Sequence, residues 1–236
     1  MSMTGELAFF LGLQIKQSFK GILISQTKYT NELIKKLGME NAKPSGTLMS
    51  PSTTLEEDKN RKNVDETMYK GMTGCLLYFM GSRPDIIFSI CKCARFQSAP
   101  KESHLTVVKR IIKYLFGTTE LGLWYSHSNN FDLKGFSDAN FAGDRTDRKS
   151  TSGTCQLLRN VLIFWHSKKQ NCVALLTTEV EYLAVGSRCT QILWIMYQLL
   201  DYDLNLTSTP IFCDNTSAIY LSKNFVHHFM GKVYQN

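Results

Sequence analysis

At 236 residues, 43% hydrophobic, 20% charged and 11% aromatic, with 15 Gly and 5 Pro, the chain has an ordinary globular composition, which excludes collagen-like, low-complexity and disordered classes. At about 150 residues per domain it holds one large domain or two small ones. The formal net charge of +7 is uneven: residues 1–117 carry 17 Lys and Arg against 10 Asp and Glu, while the remainder carries 10 of each. A basic half beside a neutral one suits a polyanionic partner, most commonly nucleic acid, and equally suits a merely solvated surface. No apolar run of about 18 residues and no secretory leader are visible, so a soluble, intracellular protein of cytoplasm or nucleus with no membrane association is expected. The 7 Cys are odd in number and irregularly spaced, which argues against a disulfide framework or a zinc site.

Along the chain, alternation at Leu11, Leu13 and Ile15, a break at Ser18–Gly21 and resumption at Ile22 and Ile24 predict a β-hairpin. Tyr29, Leu33 and Leu37 then recur at helical spacing, with Ser25 or Thr27 as N-cap and Gly38 as stop. Residues 42–62, rich in Pro, Ser, Thr and charge, predict an exposed loop separating two structural units. Three helices follow, around Glu66–Met80, from Pro84 to about Phe96, and from Pro100 to Phe116. In the last, Leu105, Val108, Ile112 and Leu115 form a core-facing stripe. Lys109, Arg110 and Lys113 lie largely off that stripe, as a candidate nucleic-acid-binding face or simply a solvated one. After Gly117 strands are expected near 133–142, 151–158 and 161–175, then a long helix from Thr177 to about Leu200, a strand Pro210–Asp214 and a helix Ser217–Lys223. This β-β-β-α-β-α order predicts an α/β architecture whose last strand lies beside the first ones.

That layout converges three acids: Asp138 in the first of these strands, Glu181 at the start of the long helix, and Asp214 at the end of the fourth strand, the edge where open α/β sheets place ligands. Clustered carboxylates are tolerable chiefly when a cation neutralises them, and oxygen-only ligands favour Mg²⁺ or Mn²⁺. Each acid also has a plainer reading. Thr178 with Glu181 fits a capping box, Asp214-Asn215 fits a turn, and Asp138 fits an edge-strand acid. Glu179 is a second candidate on the same turn as Glu181.

The segments GFSDANFAGDRTDRKSTSG, FWHSKKQNCVALLTTEVEYLAVG and PIFCDNTSAIYLSKN resemble the RNase H part of copia-type retrotransposon polyproteins. Upstream, FFLGLQI, GILISQTKYTNELIKKLGM, YKGMTGCLLYFMGSRPDIIFSICKCARFQSAPKESHL and VKRIIKYLFGTTELGLWY resemble the later part of the reverse transcriptase in the same polyproteins. The resemblance implies a palm-end and thumb remnant over 1–55, a helical connection over 56–117 and an RNase H-like domain over 118–236, mixed α+β overall. It further implies cleavage of the RNA strand of an RNA–DNA hybrid by a two-metal mechanism, with Asp138, Glu181 and Asp214 as catalytic and metal-binding residues. Asn215 and the Ser152-Gly153 turn are candidates for contacts to the hybrid, whose RNA strand is told from DNA by its 2′-hydroxyls.

Two departures temper that expectation. The family's polymerase motif Tyr-x-Asp-Asp does not occur, so DNA synthesis is not expected. In the tail, His228 and Lys232 keep the family's places, but Phe225 stands for its Pro and Gln235 for an Asp that supplies a fourth carboxylate, and the domain's last helix is expected to be missing. Loss of one ligand of a metal pair costs about 10²-fold or more in rate, so impaired activity is expected. His228 is a candidate auxiliary for proton transfer or product release, or a surface residue. Against the hybrid nuclease stand two alternatives: a catalytically dead nucleic-acid-binding remnant, and a structural protein that completes its fold by pairing with another chain.

Overall fold

The computed structural model describes residues 7–49, 55–58, 60–127, 131–206 and 208–224. They form a mixed α+β protein with two four-stranded sheets, and the chain divides into two compact units, 1–127 and 128–236.

In the first unit, β1 (Phe9–Phe10), β2 (Leu13–Ser18), β3 (Gly21–Ser25) and β4 (Gly122–Ser126) form an antiparallel sheet in that order. The expected hairpin is β2–β3, closed by Phe19-Lys20 between the paired Ser18 and Gly21. Gly21 is required there, since its φ is +152° and a β carbon would sit 2.2 Å from the Tyr125 carbonyl oxygen. Strand β4 has no counterpart in the sequence reading. It exists by pairing with β3 about a hundred residues upstream, a non-local choice that a five-residue pattern does not announce.

Helix α1 (Thr27–Lys36) buries Thr30, Leu33 and Ile34. Neither Ser25 nor Thr27 caps it: the N-cap is Gln26 with no side-chain capping bond, and the Lys28 N–H donates to Gln14 Oε1 at 2.6 Å instead. Gly38 does end it. At φ +62° its N–H donates to Lys35 O while Met39 N–H reaches back to Ile34 O, the paired bonds of a Schellman motif.

Helices α2 (Glu66–Tyr78), α3 (Ile87–Ala94) and α4 (Glu102–Gly117) follow near their expected bounds, with 3₁₀ turns at Phe79–Gly81 and Pro84–Ile86. Asp65 caps α2 by accepting from Met68 N–H at 2.6 Å. Tyr69, Leu76, Phe79, Ile86, Ile90, Val108, Ile111, Ile112 and Leu115 form the core, each at most 1% exposed.

The loop over 42–62 does not behave as a divider. Leu33 and Ile34 before it and the α2–α4 residues after it share one core, which Leu55 enters at 5% exposure and Leu48 and Met49 join at its margin. The loop is also tied to α4. Arg110 donates to the Thr47 carbonyl and hydroxyl oxygens, Ser45 N–H donates to Lys113 O, and the fully buried His104 ring bridges Lys101 N–H to the Glu56 carbonyl. Its anchoring residues follow no helical or strand period, so composition alone makes it look solvated.

In the second unit, β5 (Leu133–Asn140), β6 (Thr151–Leu158) and β7 (Val161–Lys169) are antiparallel, and β8 (Ile211–Phe212) lies parallel to β5, giving the order β7-β6-β5-β8. The last strand lies beside the first, as the element order predicts. Helix α5 (Thr177–Leu200) packs against β5 and β6, and α6 (Thr216–Lys223) packs against α5. At Gly135 the helix comes so near the sheet that a β carbon would lie 2.6 Å from Ile192 Cδ1 and 3.3 Å from Arg188 Cδ. Among the described residues no helix is long and apolar enough to cross a membrane.

Candidate metal and nucleic-acid site

Glu181 is the pivot of the candidate site, and it is not a capping residue. The N-cap of α5 is Leu176, with no side-chain capping bond. The acid that reaches back over this helix start is Glu179, whose Oε2 accepts from Leu175 N–H at 2.9 Å. Glu181, two residues on, points to the sheet. It is 6% exposed, its Oε1 accepts from the Ala139 N–H of β5 at 3.0 Å, and its Oε2 faces the Cys213 thiol at 3.8 Å. Burial raises its pKa above the usual carboxylate range, the Ala139 N–H partly opposes this, and the Asp138 and Asp214 charges push it further up.

Asp214 leaves the end of β8 exposed, while its neighbour Asn215 caps α6 by accepting from Ala218 N–H at 2.9 Å. The turn-and-cap role thus falls to Asn215, and the Asp214 carboxylate is left to face Glu181. One ligand atom each from Glu181, Cys213 and Asp214 lies within 4.8 Å of the others. Asp138, exposed on β5 opposite Gly153, is not part of that tight trio, although its charge acts on Glu181.

The Glu181 and Asp214 carboxylates, with the Asp138 charge acting on Glu181, are hard oxygen donors of the kind that suits Mg²⁺ or Mn²⁺. Glu181 makes no ion pair with Lys or Arg among the described residues, so no protein cation compensates its buried charge. Cys213 was missed in the sequence, where its apolar neighbours make it read as a small hydrophobe.

Other candidates fare differently. Ser152 and Gly153 lie inside β6 rather than at a turn, and the Ser152 hydroxyl accepts from Gln170 Nε2 at 2.9 Å. Lys109 is exposed, Lys113 half-buried, and Arg110 is engaged by Thr47. Lys109 and Arg110 join Arg61, Ser103 and Thr106 along a groove of about 580 Å³. Arg61 carried no sequence signal, since it sits in the irregular loop. His228 and Gln235, with the tail around them, lie outside the described residues. Beneath the sheet, Arg188 is fully buried, and among the described residues only its Nη1 is bonded, to the Cys155 carbonyl at 2.6 Å. Burial pulls its pKa down to about 10.

Among known proteins, the chain is 38% identical over 224 residues to the retrovirus-related Pol polyprotein from transposon RE1 of Arabidopsis thaliana, covering 94% of this chain and 15% of that polyprotein. It is 35% identical over 240 residues to the corresponding polyprotein from transposon TNT 1-94 of Nicotiana tabacum, covering 97% of this chain and 18% of that one. The chain belongs to the Pol polyprotein family of copia-type retrotransposons. It is also 30% identical over 190 residues to the uncharacterized mitochondrial protein AtMg00810 of Arabidopsis thaliana, covering 80% of this chain and 79% of that protein. The chain thus spans less than a fifth of the length of the two transposon polyproteins. No family model and no solved structure matches it.

Proposed function

We propose that this copia-type Pol segment is an RNase H-type endonuclease directed at the RNA strand of RNA–DNA hybrids. The observation that carries the reading is Glu181: a buried acid on α5, held by a strand N–H and directed at Asp214, with the Asp138 charge acting on it. Asp138, Glu181 and Asp214 would hold Mg²⁺ or Mn²⁺, which when bound supplies activation of water and charge stabilisation at the leaving oxygen.

The chain's own residues prepare that setting. The Ala139 N–H fixes the orientation of Glu181, and burial of Glu181 shields that one carboxyl from water while Asp138 and Asp214 stay exposed. The β5–β8 pairing brings Asp214 to the edge where Asp138 emerges. The Arg61–Lys109 groove suits phosphates of a duplex, which are bound electrostatically and without regard to base sequence.

The test is Mg²⁺-dependent cleavage of a labelled RNA–DNA hybrid, comparing the chain with Asp138→Asn. Cleavage by the parent and a loss of about 10²-fold or more in the variant is expected. Absence of cleavage by both, with retained salt-sensitive binding, would establish the alternative of a nucleic-acid-binding remnant without catalysis. The position of Asp138 outside the tight trio is the observation that favours that alternative.

A further inference from the structure

The tight trio is not an all-oxygen site. Its third member is a thiol, and Cys213 Sγ stands 3.8 Å from Glu181 Oε2 within a set that closes to 4.8 Å including Asp214. For a four-coordinate cation with bonds of about 2.3 Å to sulfur and 2.0 Å to oxygen, tetrahedral angles place neighbouring ligand atoms roughly 3.5 Å apart. The present spacing is within a small side-chain adjustment of that geometry. Glu181, 6% exposed and without an ion pair to Lys or Arg among the described residues, is a buried carboxyl group whose charged form a cation would compensate.

We propose that Glu181, Cys213 and Asp214 form a site for thiophilic divalent cations, Zn²⁺, Co²⁺ or Cd²⁺, which compete with hard cations at the candidate catalytic edge. Softness decides the contest. A hard ion takes the two carboxylates and leaves the sulfur protonated, whereas a softer ion binds all three groups. On binding, the Sγ–H bond breaks, its proton passes to the solvent buffer, and the sulfur electron pair is donated to the cation. No electrons are transferred to or from the metal. Two carboxylates, one thiolate and a divalent ion leave a net charge of −1, with a fourth position open to water. Thiophilic ions would therefore oppose hard-ion occupancy of the same edge and act as inhibitors of whatever chemistry the hard ion supports.

The inference needs the geometry of the trio and not its catalytic competence, so its test is optical. Titration of the reduced chain with Co²⁺ is expected to produce a near-ultraviolet thiolate-to-cobalt charge-transfer band that saturates at one equivalent. The band is expected to vanish in Cys213→Ser, with Co²⁺ affinity at least about tenfold weaker, because removal of a direct ligand costs no less than removal of a group behind one. Cys172→Ser and Cys189→Ser, changes at the two exposed cysteines, are expected to leave it intact. Far-ultraviolet circular dichroism checks that Cys213→Ser is folded, and Glu181→Gln supplies a second variant in which the band weakens while all cysteines remain. A band that survives Cys213→Ser, or no band with the parent chain, overturns the proposal. A band in a chain that cleaves no hybrid overturns only the nuclease reading.

Discussion

The two units balance apolar and polar burial differently. In the first, fifteen buried hydrophobic residues from α1–α4, the two 3₁₀ turns and the loop at Leu55 make one continuous apolar core. In the second, the buried apolar cluster is Leu133, Ile192 and Ile195 with partly buried residues such as Ile163 and Phe164 packed on it, and buried Ser137, Thr154, Gln156, Arg188 and Glu181 stand beside a shorter set of buried apolar residues that includes Val180 and Ala184. Several of these atoms, Ser137 Oγ, Gln156 Oε1, and Arg188 Nε and Nη2, have no hydrogen-bond partner among the described residues. Apolar burial stabilises by roughly 25 cal/mol per Å², whereas an unpaired buried polar group costs about 1–3 kcal/mol. The first unit is therefore organised for stability, and the second carries the groups from which a site can be built.

Substitutions can break that contrast, beginning with the largest effect. Phe79→Ala in the apolar core is expected to destabilise the first unit by about 3–5 kcal/mol, read by urea unfolding through Trp124, with the transition seen by Trp165 and Trp194 unmoved. Arg188→Met should act in the opposite direction. Replacing a buried charge by an apolar group of similar volume is expected to leave the second unit neutral to about 1–4 kcal/mol more stable, and a destabilisation of that unit would show that the guanidinium is a structural keystone.

Glu181→Gln sharpens the comparison through pH. The folded-state pKa of Glu181 is raised by burial and by the neighbouring acids. Its contribution to stability is then fully present below the ordinary glutamate value of about 4.3 and is lost as pH rises through the raised value. The parent's second-unit melting temperature should fall across that interval, while that of Glu181→Gln stays flatter. Identical pH profiles would place Glu181 outside any strained cluster.

Much of this architecture is legible in the sequence where structure is local. The helix Thr177–Leu200 and the strand Thr151–Leu158 appear at their expected bounds because periodicity and turn residues settle them. What escaped depends on distant partners. Strand β4 needs β3, and the loop over 42–62 needs α4 and His104. The choice between a capping Glu181 and a sheet-facing Glu181 is made by Ala139, far away in the chain, and by Glu179 taking the local role. Asp138, Glu181 and Asp214 could be nominated from pattern and resemblance. Cys213 could not, because a cysteine in an apolar strand is ordinarily just a small hydrophobe, and only the fold reveals what stands across from its sulfur.

The absent side chain at Gly135 sets a gauge for all of this. A single methyl there would press on Ile192 Cδ1 and crowd Arg188 Cδ, so both of these α5 side chains would have to give way. Both lie on the buried face of α5 that also carries Glu181. The seat of α5 on β5, the same two elements that share the Glu181–Ala139 hydrogen bond, thus includes a position where only a hydrogen atom fits without repacking.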